Sequence, residues 1–384
     1  MTHISERELE LPESVIGKLL KISSESKEII SLSVGEPDFI TPKPLLDYAK
    51  TIISKGTHYT ATTGRIELRE AIAKKLKKDN KINLNPENIL VTNGSQEAIL
   101  TGFLSTLDPS EQAIVPNPGY LDYIPAIDLV NGNPVYVKLD EEDNFEFNPD
   151  RIKESIDKKK TQVIMINTPS NPTGTVLSKS TLEEIADIAI EHDLYVFSDE
   201  AYEKLVYGKK HVSIGSLNGM EEHVVTFQTF SKSYAMCGFR VGYAAGPLEL
   251  IKAMDKVHHY VTLCAPNISQ LVAIKALSLS PKYTEAMRKK YDKRRIFIVN
   301  RLNELGLRTR MPNGAFYAFS NIQDYSTDSY KFAEQILKKA KVAVVPGVEF
   351  GKYGEGYIRF SYAADIKLIE EGLERIEKFL KSYK

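Results

Sequence analysis

From about Leu45 to Pro281, short apolar runs alternate with amphipathic stretches, and this alternation constrains the fold more than any other feature of the chain. The runs are NILVTN, QAIVP, PVYVKL, QVIMIN, LYVFSD, HVVTFQ and VGYAAG. Between several of them, apolar residues recur at helical spacing, as in SKSTLEEIADIAIEHD. A strand that is apolar along its whole length needs cover on both faces, which helical crossovers supply in a largely parallel sheet. The expected fold class is α/β: a mostly parallel seven-stranded sheet between helices, forming a large domain over residues 45–281.

The pattern changes after Pro281. A long charged helical stretch, YTEAMRKKYDKRRIFIVNRLNEL, leads to LRTRMPNGAFYAF, read as a hairpin. Strands VAVVP and YIRFSY follow, and then a final helix, LIEEGLERIEKFL. Residues 282–384, with the N-terminal arm 1–44, are expected to form a smaller α+β domain. At 384 residues the chain has room for both units.

Charge and cysteine content remove several function classes. A formal net charge of -1 argues against nucleic-acid binding, and the lysine run KKLKKDNK reads as a solvated face. Two cysteines, Cys237 and Cys264, make neither a disulfide framework nor a zinc cluster, so a reducing cytoplasm is the expected compartment. No stretch approaches the roughly 18–20 apolar residues of a membrane span, and the first residues, MTHISERELELPESV, lack a signal-peptide core. No metal site is expected either. Of seven histidines only His258 and His259 are close in sequence, and adjacent residues on a helix diverge by about 100°.

In open α/β sheets, ligands bind outside the carboxyl ends of the strands. Four of those ends are polar in complementary ways. Gly94, Ser95 and Gln96 follow ILVTN and open a helix, where unpaired N–H groups make an anion seat, although a plain helix cap would look the same. Asn171 follows QVIMIN in a proline-bracketed turn. Asp199 ends LYVFSD, with Tyr202 just beyond, and a buried carboxylate there needs a cation or several donors; a cap or internal ion pair is the alternative. Thr229, Ser231 and Lys232 follow HVVTFQ, with Arg240 eight residues after the lysine. A lysine acts as a nucleophile only as a neutral amine, which a cationic neighbour or covalent imine formation favours.

A phosphate seat, a cation for the phosphate, an amine for an aldehyde and a carboxylate for a ring nitrogen together match one common cofactor, pyridoxal 5′-phosphate. At this point the sequence resembles the class I aminotransferases, pyridoxal-phosphate enzymes of fold type I. The resemblance runs from SLSVGEPDF to YIRFSYA through HYTATTGRIELREAIA, NGSQEAI, NPGYLDY, NTPSNPTG, SDEAYE and TFSKSYAMCGFRVGY.

The resemblance implies roles residue by residue. Lys232 is the Schiff-base lysine and later the base of the proton shift, and Asp199 pairs with the ring nitrogen. Asn171 and Tyr202 bond the phenolic oxygen, and Tyr120 stacks on the ring. Gly94, Ser95, Gln96, Thr229 and Arg240 hold the phosphate, with Ser231 as a further contact; many relatives carry serine where Thr229 stands. Arg359, otherwise a candidate for an internal carboxylate partner, grips the substrate α-carboxylate together with Asn171, and Gly35 closes the other side. Tyr59 reaches the phosphate of a neighbouring subunit, which implies a homodimer with shared sites.

The implied reaction moves an amino group between an L-amino acid and a 2-oxo acid such as 2-oxoglutarate by ping-pong chemistry. Some aspartate-using relatives carry a lysine beside the phosphate turn; here the turn reads NGSQ. Phe39, Tyr120, Tyr260 and Phe316 are expected near the cleft and favour aromatic or broad substrates over aspartate. Rival readings are a C–S lyase, a decarboxylase or a cyclopropane-forming synthase on the same scaffold. A nicotinamide dehydrogenase lacks its G-x-G-x-x-G after a strand, GKYGEG having the wrong order. Ser24 to Lys27 matches S-x-x-K only formally, without S-D-N or K-T-G partners.

Overall fold

The computed structural model describes residues 28–383 and, ahead of them, residues 4, 5, 11, 13, 15, 17–19, 22 and 26. Apart from Ser26, the Ser24–Lys27 stretch lies outside the described residues.

After a short β1 (Ile30–Ser31), the seven apolar runs become β2 (Ile89–Thr92), β3 (Gln112–Asn117), β4 (Asn133–Lys138), β5 (Thr161–Asn167), β6 (Tyr195–Asp199), β7 (Val224–Thr229) and β8 (Gly242–Ala245). They form one sheet in the order β2-β8-β7-β6-β5-β3-β4. Only β8 runs antiparallel to its neighbours, β7 and β2; the other pairings are parallel.

Successive side chains of a strand point to opposite faces, so both faces of this sheet must be covered. Ile164 and Ile166 of β5 join one apolar layer with Leu182 and Ile185 of the helix Lys179–Glu191. Val163 and Met165, the alternate residues, join a second layer with Ile99 and Phe103 of the helix Ser95–Thr106. The first helix begins where Ser178 Oγ accepts the Thr181 N–H at 3.1 Å. Losing such a cap costs about 1 kcal/mol.

Strand register fixes what meets at the carboxyl edge. Asn167 lies opposite Asp199, and Thr229 opposite Gly242, which also faces Thr92. The last residues of β2, β5, β6 and β7 therefore share one rim with the start of β8.

The C-terminal part contains the long helix Lys282–Glu304, then β9 (Tyr317–Asn321), β10 (Val342–Ala343), β11 (Val345–Pro346), β12 (Tyr357–Ser361) and the helix Ile366–Lys381. β12 lies between β11 and β9 in an antiparallel sheet, while β10 pairs in parallel with β1. The hairpin expected in LRTRMPNGAFYAF is not a ladder but one bridge, Thr309 to Ser320. Its would-be turn is held elsewhere: the N–H groups of Asn313 and Gly314 both donate to the Gly174 carbonyl, at 3.0 and 2.8 Å. Among the described residues no helix is long and apolar enough to cross a membrane.

Candidate active site

The rim opens into a cavity of about 430 Å³, and of the residues given cofactor, catalytic or α-carboxylate roles from the sequence all but Tyr59 line it. Lys232 sits in the one-turn helix Phe230–Ser233, which Thr229 caps by accepting the Ser231 N–H at 3.2 Å. The lysine Nζ donates to the Gly35 carbonyl at 2.6 Å, so the N-terminal segment closes over the reactive amine. A Cβ at Gly35 would lie 2.7 Å from the Tyr317 hydroxyl, too close for any larger residue without displacement.

Asp199 is only 5% exposed. Its carboxylate accepts from the Tyr123 hydroxyl at 2.7 Å and from the Ala201 N–H at 3.1 Å. Burial raises its pKa to about 6 in spite of those bonds and of the Lys232 charge, and among the described residues no cation pairs with it. Burial likewise pushes the Tyr202 hydroxyl well above its ordinary value, and it shares a 2.7 Å bond with the Tyr317 hydroxyl.

Arg359 is fully buried in β12. Its Nη1 donates to Asn171 Oδ1 at 2.9 Å and its Nη2 to the Ser33 carbonyl at 2.5 Å, while its Nε has no partner. The guanidinium stacks 4.4 Å from the Tyr317 ring centroid and 4.9 Å from that of Phe350. Burial lowers its pKa, and among the described residues no carboxylate pairs with it. The internal partner considered from sequence is therefore not found; the charge faces the cavity.

At the other end, Gly94 adopts φ +85°, which lets the Arg240 guanidinium approach; a Cβ there would sit 2.9 Å from Nη2. Arg240 donates to two backbone carbonyls, Cys237 at 3.2 Å and Asn93 at 3.3 Å. Neither neutralises it, so its charge remains for an anion at the N-terminus of helix Ser95–Thr106. Tyr120 is oriented by a 2.6 Å bond from its hydroxyl to Asp122.

Among the lining or contacting residues that escaped the sequence reading are Asn167, Tyr123 and Tyr317, whose polar groups face the site or its carboxylate. Asn167 is itself the polar end of an apolar strand, and Tyr123 lies inside NPGYLDY, so the same strand-end and motif logic would have found both. Tyr317 sits in an aromatic run and carries no such signal. The aromatic wall also differs from expectation. Phe316 is buried in the core of the C-terminal part, Phe39 packs edge-on against Tyr291, and Tyr260 is 88% exposed. Of the four aromatics expected there, only Tyr120 lines the cavity, joined by Tyr202 and Tyr317. Tyr59 is 83% exposed and borders a separate cleft with His58, Cys264 and Asn267.

The donor set fits pyridoxal 5′-phosphate: an amine, a buried carboxylate short of a cation, a glycine-cleared arginine beside a helix N-terminus, and a buried arginine short of an anion. The fold and this set of groups define a pyridoxal-phosphate-dependent aminotransferase of fold type I. The chain belongs to the family described as aminotransferase class I and II, whose sequence pattern matches residues 27–376. It is 47% identical to the aspartate aminotransferase of Pyrococcus abyssi, across 97% of this chain and 96% of that one. It is 45% identical, over the same shares, to aromatic-amino-acid aminotransferase 2 of Thermococcus litoralis. The solved structure of the aromatic aminotransferase from Pyrococcus horikoshii superposes with a TM-score of 0.90 at 46% identity, covering 96% of this chain and 99% of that one.

Proposed function

We propose that this aminotransferase uses pyridoxal 5′-phosphate bound at Lys232 to exchange an amino group between L-amino acids, aromatic or of broad range, and a 2-oxo acid such as 2-oxoglutarate. One observation carries the reading: Lys232, Asp199 and the carboxylate-free Arg359 face a single cavity. When bound, the cofactor supplies an aldehyde that condenses with amines and a cationic ring that takes up charge from the substrate Cα.

The chain's own residues do the rest. Arg359 and Asn171 bind the substrate α-carboxylate, with Gly35 lying over it, and so set which Cα bond faces Lys232. Lys232 Nζ, held near the Gly35 carbonyl, removes the Cα proton as a free amine and returns it two atoms away, across the nitrogen, in a 1,3 shift. Asp199, once opposite a ring cation, is held as a carboxylate, with Tyr123 and the Ala201 N–H fixing its orientation. Tyr202 and Asn171 meet the ring hydroxyl, and Tyr120 covers its face. Ser95, Gln96, Thr229, Ser231 and Arg240 hold the phosphate at the Gly94 turn.

The substrate range is supported by the lining. Its cations are Lys232, Arg240 and Arg359, each with a proposed duty, which leaves none among the described residues for a second carboxylate. Similarity to both an aspartate and an aromatic aminotransferase favours breadth over a strict preference. Aspartate aminotransferase remains the second reading, with a cation supplied from outside the cavity of one chain.

A homodimer completes the proposal, with Tyr59 delivered to the phosphate in the partner subunit's site; its exposure outside its own cavity supports this. The two-domain division at 45–281 is proposed on the pairing of β1 with β10, which ties the N-terminal arm to the C-terminal part. The cytoplasm is the proposed compartment, supported by two unpaired cysteines.

Borohydride reduction in the presence of pyridoxal phosphate, followed by peptide mapping, tests the cofactor assignment: the adduct is expected on Lys232, and an adduct elsewhere refutes it. A panel of amino donors compared by kcat/KM tests the range. A large preference for aspartate overturns the aromatic-or-broad reading, and a 2-oxo acid formed together with free ammonia and a thiol, without need of an amino acceptor, would point to a C–S lyase.

A further inference from the structure

Behind the cavity, on the far side of the same strand ends, lies a second polar cluster that the reaction leaves unused. Site residues and cluster residues are sequence neighbours: Asp199 precedes Glu200, Tyr202 precedes Glu203, and Gln228 precedes Thr229. The first of each kind points into the cavity and the second toward Lys75, on the helix Ile66–Lys75.

The Lys75 ammonium has three protons and meets three oxygens: Glu203 Oε1 and Gln228 Oε1, each at 2.5 Å, and Asn80 Oδ1 at 2.8 Å. Its side chain is 9% exposed and that of Glu203 8%. The cage is closed by further bonds. Asn80 Nδ2 donates to Glu203 at 2.7 Å and Gln228 Nε2 donates to it at 2.9 Å. Glu200, fully buried, accepts from Ser213 at 2.7 Å and Ser198 at 3.0 Å, and its carboxylate lies 3.0 Å from His211 Nε2.

Glu200, Glu203 and His211 are close enough together to resemble a metal-ion ligand set. The set is already partnered from within the chain: Lys75 takes a Glu203 oxygen, and Glu200 is met by Ser213 and His211. Burial lowers the Lys75 pKa and would raise that of Glu203, but the Lys75 and Lys204 charges hold the Glu203 carboxyl at about 2. The 2.5 Å contact with Glu203, in a ring of three oxygens around the amine, is the geometry of an ion pair.

We propose that Lys75 is an internal cation, a tethered substitute for a bound monovalent ion, and a positioning residue for Asp199, Tyr202 and Thr229. The inference rests on the roles proposed above for those residues. It acts through backbone: pulling Glu203 and Gln228 to one ammonium fixes the turn after β6 and the end of β7, and so the hydroxyls of Tyr202 and Thr229 one residue away and, through the turn, Asp199 four residues before Glu203.

Lys75→Ala deletes the equivalent of n-propylammonium and leaves the oxygen cage in place. In sodium chloride the variant is expected to bind pyridoxal phosphate roughly tenfold more weakly and to lose at least tenfold in kcat. Added n-propylammonium or ammonium should restore both within a few-fold and raise the thermal midpoint of the cofactor-free variant. Tetramethylammonium, too large, and n-propanol, uncharged, should do neither. Lys75→Met, which fills the space with apolar atoms, should show the loss without rescue.

Wild-type cofactor affinity and kcat in Lys75→Ala, or a loss equal in all salts, overturns the proposal. If Lys75→Ala does not fold, Asn80→Ala carries the test: the ammonium then lacks one oxygen, and cofactor affinity is expected to fall about threefold or more. Unchanged affinity would overturn the proposal. Wild-type enzyme run alongside separates the two readings, because failure of the Lys232 assignment appears there and not only in the variants.

Discussion

Replacing Asp199 by asparagine should make the cofactor-free protein more stable while crippling the enzyme. The carboxyl is 5% exposed and its pKa is raised from 3.8 to about 6. A group whose folded-state pKa lies above its unfolded value stabilises the fold fully only below the unfolded pKa. That contribution disappears as pH rises through the folded value. The shift of about 2 units corresponds to about 3 kcal/mol, of which about 2 kcal/mol is lost between pH 4.5 and 8.

Asparagine keeps an oxygen for the Ala201 N–H, and the Tyr123 hydroxyl accepts as readily as it donates, so geometry survives the exchange. Urea unfolding of cofactor-free wild type and Asp199→Asn, at pH 4.5 and pH 8, measures the difference. The variant is expected to gain on wild type by about 2 kcal/mol between the two pH values. Saturating pyridoxal phosphate should then narrow or reverse the ranking, because only the carboxylate meets a ring cation. A gap that does not change with pH, or a variant less stable than wild type at pH 8, refutes the claim that this carboxylate is held at a cost to the fold.

The other site residues make sharper, smaller claims. Gly94→Ala combines an unfavourable positive φ with a contact 2.9 Å from Arg240, and should weaken pyridoxal phosphate roughly tenfold or more by titration while leaving KM ratios among amino donors intact. Arg359→Lys replaces a fork by a point charge, and should raise KM for every amino donor by about 10- to 100-fold without changing cofactor affinity. Tyr317→Phe removes the hydroxyl bonded to Tyr202 while keeping the ring under Arg359. A change in the pH dependence of the bound cofactor's visible absorbance is expected, with a stability loss of only about 1 kcal/mol.

The cavity was legible in sequence because its parts obey a local rule. Each of Gly94, Asn171, Asp199 and Lys232 stands just past an apolar strand, and parallel strands deliver their carboxyl ends to one rim. Nothing beyond strand periodicity is needed to bring them together. The aromatic wall follows no such rule. Phe316 and Tyr317 are adjacent in one aromatic run and both are buried, yet only Tyr317, at the start of β9, also reaches Arg359 and the cavity, which tertiary packing and not the run decides. The hairpin misreading has the same origin. Pro312-Asn313-Gly314 is good turn chemistry, but Gly174, 139 residues earlier, takes its N–H groups. Tyr59 illustrates the limit from the other side, since its matched motif gave it a role that the geometry of a single chain does not express.

Catalysis and support share three short segments, at the ends of β6 and β7 and in the turn that follows β6. At Asp199-Glu200, Tyr202-Glu203 and Gln228-Thr229, one residue of each pair faces substrate and its neighbour faces the Lys75 cage. Asp199 is kept poorly solvated and short of a cation, which favours its later pairing with a ring cation; Glu203, four residues on, is given one and held ionic. Two buried carboxyls so close in sequence thus have opposite electrostatic surroundings. The difference requires an element from outside the strand, and the helix Ile66–Lys75 provides it. A carboxylate left to await its ligand is tolerable here because the adjacent one is already satisfied, which keeps the strand end in place whether or not the cavity is filled.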